Sequence, residues 1–227
     1  MIWDLFRVRK VKDLLPRGAI IFERGCDFIS QAIIEAQDIF WEEEAKKSQW
    51  SHIGFIGADG YFYESTVKFS GRRFVYGVRI TQPSQLIKEM TKNDDLIGIQ
   101  YDLDMNRSQW EKATAKARQM KREKYVYGGL ELFGTLLRLW RWKLTRDPRK
   151  RKNLLQKRNP FNLKKSLYCI AFVADCLEAA GVEYISVEHS IATVDHGWYT
   201  TLPHRKRIIE IEEARQTKWQ IFKTGKI

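Results

Sequence analysis

The chain has 227 residues, of which 44% are hydrophobic and 13% are aromatic, so it can bury a sizeable core and is not expected to be disordered throughout. Its 40 Lys and Arg residues against 28 Asp and Glu residues give a formal net charge of +12. This charge favours an anionic partner, such as nucleic acid, a membrane surface or an acidic polymer. The three cysteines cannot all pair and lack the spacing of zinc ligands, which excludes a disulfide-stapled secreted scaffold.

The hydrophobic periodicity predicts an α+β domain with strands in the middle and helices towards both ends. The expected strands are, in chain order, Gly18–Phe22, Ser51–Gly57, Tyr61–Ser65, Phe74–Ile80, Asp95–Tyr101, Arg207–Ile211 and Trp219–Phe222. The expected helices are Asp27–Gln37, Gln82–Met90, Arg107–Lys121 and Tyr168–Ala180, and a loop or exposed extension is expected at Trp41–Gln49. No repeat or linker divides the sequence, so residues 1–227 are expected to form one domain.

Most of the net charge lies in one segment, Arg138–Lys165. Its twelve basic residues against one acidic residue, Asp147, give +11, and the remaining 28 basic and 27 acidic residues give only +1. An apolar stripe at helical spacing leads into this segment, formed by Phe133, Leu136, Leu137, Trp140 and Leu144. We therefore expect residues 129–165 to be a basic amphipathic insertion within the domain.

The insertion has two interpretations. It is either a solvated segment that aids solubility or a surface that binds an anionic polymer, nucleic acid or lipid headgroups. Under the second interpretation the candidate binding residues are Arg149, Lys150, Arg151, Lys152, Lys157 and Arg158.

Cys169 is the candidate nucleophile of the sequence. If Ser166 caps a helix over Leu167–Ala180, Cys169 is the third helical residue, where the helix dipole lowers the pKa of a thiol. The alternative is that Cys169 is a small buried residue, which is the commoner fate of a free cysteine. Cys176, two turns further on, fits this second description better.

A predicted β-hairpin brings a histidine and a carboxylate together. The three-residue loop Ala58-Asp59-Gly60, with Gly60 left-handed, pairs Gly54 with Glu64. Because strand residues alternate between faces, Glu64 then lies on the same face as His52 and diagonal to it. The sequence therefore predicts an oriented histidine–carboxylate pair. The alternative is that His52 is an ordinary strand histidine and Glu64 an exposed strand carboxylate.

These motifs also resemble, in their order, the permuted NlpC-type papain-like enzymes. This group includes bacterial cysteine hydrolases and the lecithin:retinol acyltransferase family. The similar segments are Gly18-Ala19-Ile20-Ile21-Phe22, Ser51-His52-Ile53-Gly54-Phe55, Tyr63-Glu64-Ser65, Tyr125-Val126-Tyr127-Gly128 and Tyr168-Cys169. Ala19 departs from the aspartate usual in the family. The resemblance implies a circularly permuted papain-like fold with an antiparallel central sheet, into which the basic helical segment is inserted.

The resemblance implies that Cys169 is the nucleophile, His52 the base and Glu64 the orienter. An acyl-transfer oxyanion needs at least two donors, for which the backbone N–H of Cys169 and the hydroxyls of Tyr127 and Tyr168 are candidates. No cofactor or metal is expected. The sequence has no H-E-x-x-H motif, no Gly-rich phosphate loop, and only irregularly spaced C-terminal histidines, His189, His196 and His204.

The leading functional hypothesis is a cysteine peptidase or amidase that acts through a thioester, with peptidoglycan stem peptides as the substrate that the resemblance implies. One alternative is a lipid acyl hydrolase or acyltransferase with Leu130–Leu144 lying on a membrane. Another is a non-catalytic virion or binding module that uses the basic segment. The sequence has no apparent signal peptide or transmembrane run, so we expect a protein that is cytoplasmic as made and that reaches a cell wall in a phage particle or after lysis.

Overall fold

The computed structural model describes residues 15–25, 28–41, 49–70, 73–93, 96–101, 103–129, 134, 137, 140–141, 144–147, 149–150, 165–185, 194, 198 and 205–209. The strands within these residues are β1 (Ile20–Arg24), β2 (His52–Ile56), β3 (Phe62–Ser70), β4 (Arg73–Thr81), β5 (Leu96–Tyr101), β6 (Val126–Tyr127), β7 (Ser166–Leu167) and β8 (Arg205–Ile209). The main helices are α1 (Phe28–Trp41), α2 (Pro83–Asn93), α3 (Arg107–Arg122) and α4 (Cys169–Glu178).

One antiparallel sheet organises the domain. Six strands follow the order β4-β3-β2-β1-β5-β8, and each neighbouring pair is antiparallel. Strands β6 and β7 form a separate two-residue parallel pair. The predicted α+β class with an antiparallel central sheet is therefore confirmed.

The β2–β3 hairpin has the predicted turn and register. The backbone N–H of Gly57 donates to the carbonyl oxygen of Tyr61 at 2.8 Å, which closes the loop. Gly60 has φ of +84°, a conformation that glycine adopts without the Cβ penalty of other residues. Gly54 pairs with Glu64, so the predicted register is confirmed.

Apolar side chains cover both faces of the sheet. On one face, strand residues pack with α2 in a cluster that includes Ile21, Ile56, Phe62, Ile99, Leu86, Ile87 and Met90. On the other face, strand residues pack with α3 and α4 in a larger cluster that includes Ile20, Phe22, Ile53, Phe55, Tyr63, Ala113 and Phe172. The alternation of strand side chains thus divides the core into two layers.

Helix α4 is buried along most of its length. Eight of its ten residues are buried, and they are almost all apolar. The ring of Phe172 is fully buried and stacks 6.1 Å from that of Phe55 on β2. The helix packs against β2, β3 and α3, which fixes the position of its first residue relative to the sheet.

Several boundaries differ from the sequence predictions. The first strand begins at Ile20 and continues to Arg24, because the chain first turns at Gly18, whose φ is +78°. The predicted strand Arg207–Ile211 is observed at Arg205–Ile209. Trp41 belongs to α1, whereas residues 42–48 and the predicted strand Trp219–Phe222 lie outside the described residues.

Candidate active site

His52 and Glu64 form a direct pair between the neighbouring strands β2 and β3. Nε2 of His52 lies 2.8 Å from Oε2 of Glu64. The side chain of Glu64 is fully buried, whereas that of His52 retains 15% exposure. The predicted histidine–carboxylate pair is confirmed, and the alternative of an exposed Glu64 is wrong.

A second ion pair lies behind Glu64. Arg79 is directly opposite Glu64 on β4, and its Nη1 donates to Oε1 of Glu64 at 3.1 Å and to Oε2 of Glu89 at 2.7 Å. One oxygen of Glu64 thus contacts Arg79 and the other contacts His52, so the carboxylate is fixed in orientation. The sequence alone does not predict that Arg79 and Glu89 belong to the site, because no motif in it sets the register between β3 and β4.

Cys169 is the first residue of α4, which corrects the predicted cap. The N-cap is Tyr168, in an extended conformation and without a side-chain capping bond, so Cys169 is the first helical residue and not the third. Ser166 does not cap the helix because its backbone belongs to β7, paired with Val126. The hydroxyl of Ser65 on β3 donates to the carbonyl oxygen of Leu167 at 2.6 Å, which ties the helix start to the sheet.

The side chain of Cys169 hydrogen-bonds with His52. Burial by itself lowers the pKa of His52, but the hydrogen bonds with Cys169 and Glu64 and the negative charges of Glu23 and Cys169 outweigh it and raise the pKa to about 10. His52 therefore carries a proton at neutral pH. The structure brings together the three side chains that the resemblance implies are catalytic, Cys169, His52 and Glu64.

The two tyrosines proposed as oxyanion donors are both buried. Burial, together with the adjacent negative charge of Cys169, raises the pKa of Tyr127 well above its ordinary value, so this phenol remains a hydrogen-bond donor. Tyr168 immediately precedes Cys169 as the N-cap residue. The backbone N–H groups in the first turn of a helix have no carbonyl partner within it, so the N–H of Cys169 is available as a further donor.

Glu23 is a site residue that the sequence analysis missed. It lies directly opposite His52 on β1 and is only 8% exposed. Its Oε1 is buried and accepts no hydrogen bond from any described residue. The predicted strand ended at Phe22, one residue too early to include Glu23. The signal that could have found it is the antiparallel pairing of β1 with β2, which puts it across from His52.

Of the other cysteines and histidines, only Cys176 is among the residues that the structure describes. Cys176 is buried in α4, and burial raises the pKa of its thiol well above the ordinary value, in keeping with the predicted buried role. Cys26 and the three C-terminal histidines, His189, His196 and His204, lie outside the described residues.

The basic segment is described only in part. Arg149 and Lys150 are exposed, and their backbone N–H groups donate to Oδ1 of Asp147 at 2.9 and 3.4 Å. The remaining candidate binding residues, Arg151, Lys152, Lys157 and Arg158, lie outside the described residues. Three helical residues of the apolar stripe have exposed side chains, Leu137, Trp140 and Leu144.

No protein family, curated protein or solved structure matches the chain. None of the described helices has the length and apolar character needed to cross a bilayer.

Proposed function

We propose that the chain is a cysteine hydrolase of the permuted papain-like type, which cleaves an amide or peptide bond through a thioester intermediate. The main support is one histidine, His52, that hydrogen-bonds both with Cys169 at the start of a buried helix and with the buried Glu64. A nucleophile, a base and an orienting carboxylate in mutual contact are what acyl transfer to sulfur requires. The chain order of histidine, carboxylate and cysteine is that of the permuted branch, which supports this fold assignment.

The first step starts from the protonated His52 paired with the Cys169 thiolate, whose sulfur attacks the substrate carbonyl carbon. A C–S bond forms while the carbonyl π electrons move to oxygen. The backbone N–H of Cys169 and the hydroxyl of Tyr127 are the donors that stabilise this oxyanion. The high pKa of His52, about 10, keeps the imidazole protonated at neutral pH, so it holds the proton that the next step gives to the leaving nitrogen.

In the second step, the protonated His52 gives its proton to the leaving nitrogen. The C–N bond breaks, the oxyanion collapses to a thioester, and an amine leaves. Water then attacks the thioester while His52 takes the water proton, the C–S bond breaks, and the acid leaves with the Cys169 thiolate and the protonated His52 restored. Glu64 fixes the ring orientation throughout, and Arg79 fixes Glu64.

Peptidoglycan stem peptides are the leading substrate class, on the strength of the motif resemblance. A lipid acyl ester is the second candidate because Leu137, Trp140 and Leu144 are exposed on a helical segment beside the exposed Arg141. An apolar stripe flanked by basic residues is typical of helices that lie in a membrane interface. In this alternative the chemistry of the site is unchanged and the leaving group is an alcohol.

A substrate panel tests the proposal. Wild-type protein, Cys169→Ala and Cys176→Ala are compared on muropeptides and on acyl esters, after circular dichroism has verified folding. We expect hydrolysis of one class, a loss in kcat/KM of about 10³-fold or more in Cys169→Ala, and a change of no more than a few fold in Cys176→Ala. Equal activity of wild type and Cys169→Ala on both classes would contradict the proposal, and activity on acyl esters alone would favour the lipid candidate.

A further inference from the structure

Three potential metal ligands converge beside Cys169. A carboxylate oxygen of Glu23, a ring nitrogen of His52 and a carboxylate oxygen of Glu64 all lie within 4.8 Å of one another. Zinc holds nitrogen and oxygen ligands tetrahedrally at about 2.0–2.2 Å, so two ligand atoms of one ion lie about 3.3–3.6 Å apart. Side-chain rotations must therefore bring the most distant of the three atoms closer together before they surround one ion.

The unpartnered oxygen of Glu23 points independently to a cation. Glu23 is more than nine-tenths buried, and its Oε1 accepts no hydrogen bond from any described residue. A buried carboxylate without a partner is unfavourable and is stabilised by a proton or a cation. The strand pairing of Glu23 with His52 directs this carboxylate into the cluster.

The charges around the cluster also favour a divalent cation. Three carboxylates, Glu23, Glu64 and Glu89, surround one guanidinium, Arg79, which hydrogen-bonds with two of them. With the protonated His52 included, this group carries a net charge of −1, and a bound ion replaces the proton of His52. Arg79 contacts Oε1 of Glu64, so Oε2, on the side of His52, is the oxygen that faces the proposed ion.

The types of donor indicate which ion is preferred. One imidazole and two carboxylates suit Zn²⁺, Co²⁺ and Mn²⁺, and three protein ligands leave an open position on the ion. The imidazole nitrogen favours Zn²⁺ and Co²⁺ over harder ions such as Mg²⁺ and Ca²⁺.

We propose that Glu23, His52 and Glu64 form a binding site for a divalent transition-metal ion such as Zn²⁺, and that the bound ion inhibits the enzyme. Inhibition follows because an imidazole bound to a cation is a weaker base and because the ion takes the oxygen of Glu64 that orients His52. This inhibitory role rests on the proposed function, whereas binding of the ion does not. The site would make hydrolysis dependent on the local concentration of free zinc.

Binding is tested on the full chain with Zn²⁺ alone, by isothermal titration calorimetry. Cys169→Ala removes the nucleophile and should retain binding of one ion, whereas Glu23→Gln should weaken binding at least tenfold. The matched control is Glu35→Gln, because Glu35 is an exposed carboxylate on α1. Unchanged affinity in Glu23→Gln, or loss of binding in Cys169→Ala, would overturn the proposal.

A measurement on the wild type covers the case in which Glu23→Gln does not fold. Zn²⁺ should shift the ring-nitrogen resonances of His52 in a long-range ¹H–¹⁵N spectrum, with His52→Gln used to assign the signals. A spectrum in which the His52 resonances do not move at saturating Zn²⁺ rules out the site.

The inhibitory role needs a separate experiment. We expect Zn²⁺ to inhibit hydrolysis reversibly, with activity restored by a chelator, and the inhibitory concentration to rise at least tenfold in Glu23→Gln. If Cys169→Ala binds Zn²⁺ but the wild type hydrolyses no substrate, the proposed function fails and the metal site stands. If the wild type hydrolyses substrate and Zn²⁺ neither binds nor inhibits, the metal site fails and the proposed function stands.

Discussion

The first and last turns of α4 carry the same side chain in different surroundings. Cys169 and Cys176 are both buried, at 3% and 0% exposure. Cys169 is at the helix start and hydrogen-bonds with His52, whereas burial foremost, and then the charge of Asp175, raise the pKa of Cys176 well above its ordinary value. Burial therefore does not distinguish the two cysteines. What distinguishes them is the contact of Cys169 with a charged histidine at the start of the helix, and this contact makes Cys169 the candidate nucleophile.

The largest expected effect comes from replacing His52, which should bring the alkylation rates of Cys169 and Cys176 close together. In the wild type we expect iodoacetamide to alkylate Cys169 at least tenfold faster than Cys176. His52→Gln should abolish most of this difference and lower kcat/KM by about 10²–10⁴-fold, because the proton acceptor of the thiol is lost. Peptide mass spectrometry over a time course measures both alkylation rates in one sample, so that Cys176 is the internal reference. Equal alkylation rates in the wild type would argue against activation of Cys169.

A smaller effect is expected from changing the hairpin that carries His52. A Cβ atom at Gly54 would lie 2.4 Å from the ring of Phe62 and 2.6 Å from the carbonyl oxygen of Tyr63, so β2 and β3 must shift apart. Gly54→Ala should lower the free energy of unfolding by about 1–3 kcal/mol, the usual cost of overpacking, and should slow alkylation of Cys169. Urea denaturation measures the change in the free energy of unfolding, and mass spectrometry measures the alkylation rate.

The matched control for this change is Gly129→Ala, because a Cβ atom there has no neighbour closer than 4.0 Å. We expect this variant to unfold at the wild-type urea concentration. If Gly54→Ala is as stable as Gly129→Ala, the packing of the hairpin is looser than described.

The pKa of His52 should depend on Cys169 and not on Cys176. The hydrogen bond and charge of Cys169 raise the pKa of His52, so removing this side chain must lower it. NMR titration of the imidazole should find His52 protonated from pH 6 to about pH 9 in the wild type and in Cys176→Ala. In Cys169→Ala the ring should lose its proton at a lower pH. An identical titration of His52 in both cysteine variants would show that Cys169 does not act on the imidazole.

The smallest expected effect concerns the bond that ties the helix start to the sheet. Ser65→Ala leaves the carbonyl oxygen of Leu167 without this donor, which should cost about 0.5–1.5 kcal/mol of stability. It should also slow alkylation of Cys169 by a few fold, while leaving that of Cys176 unchanged. Ser108→Ala, at an exposed position of α3, is the control. A slower reaction of both cysteines would instead indicate general loosening of α4.

Local sequence signals predicted the hairpin and its histidine–carboxylate pair. A three-residue loop with a left-handed glycine sets the strand register, and alternation then puts His52 and Glu64 on one face, because both rules act over a few residues. The apolar run that ends near Gly181 likewise predicted the buried helix. Its start was misplaced, because pairing of Ser166 with the distant Val126 takes up the backbone that would have formed the first turn.

The sequence by itself thus determined the α+β class, the β2–β3 register, the His52–Glu64 pair and the presence of a buried helix at Cys169. Only the tertiary structure decided that Cys169 meets His52, that Arg79 fixes Glu64, and that Glu23 lies across from His52 with an Oε1 that no described residue hydrogen-bonds. These contacts join segments far apart in the chain. They depend on how β1 and β4 pair with their neighbours and on how α4 packs on the sheet, and no turn or periodicity in the sequence specifies such non-local pairings.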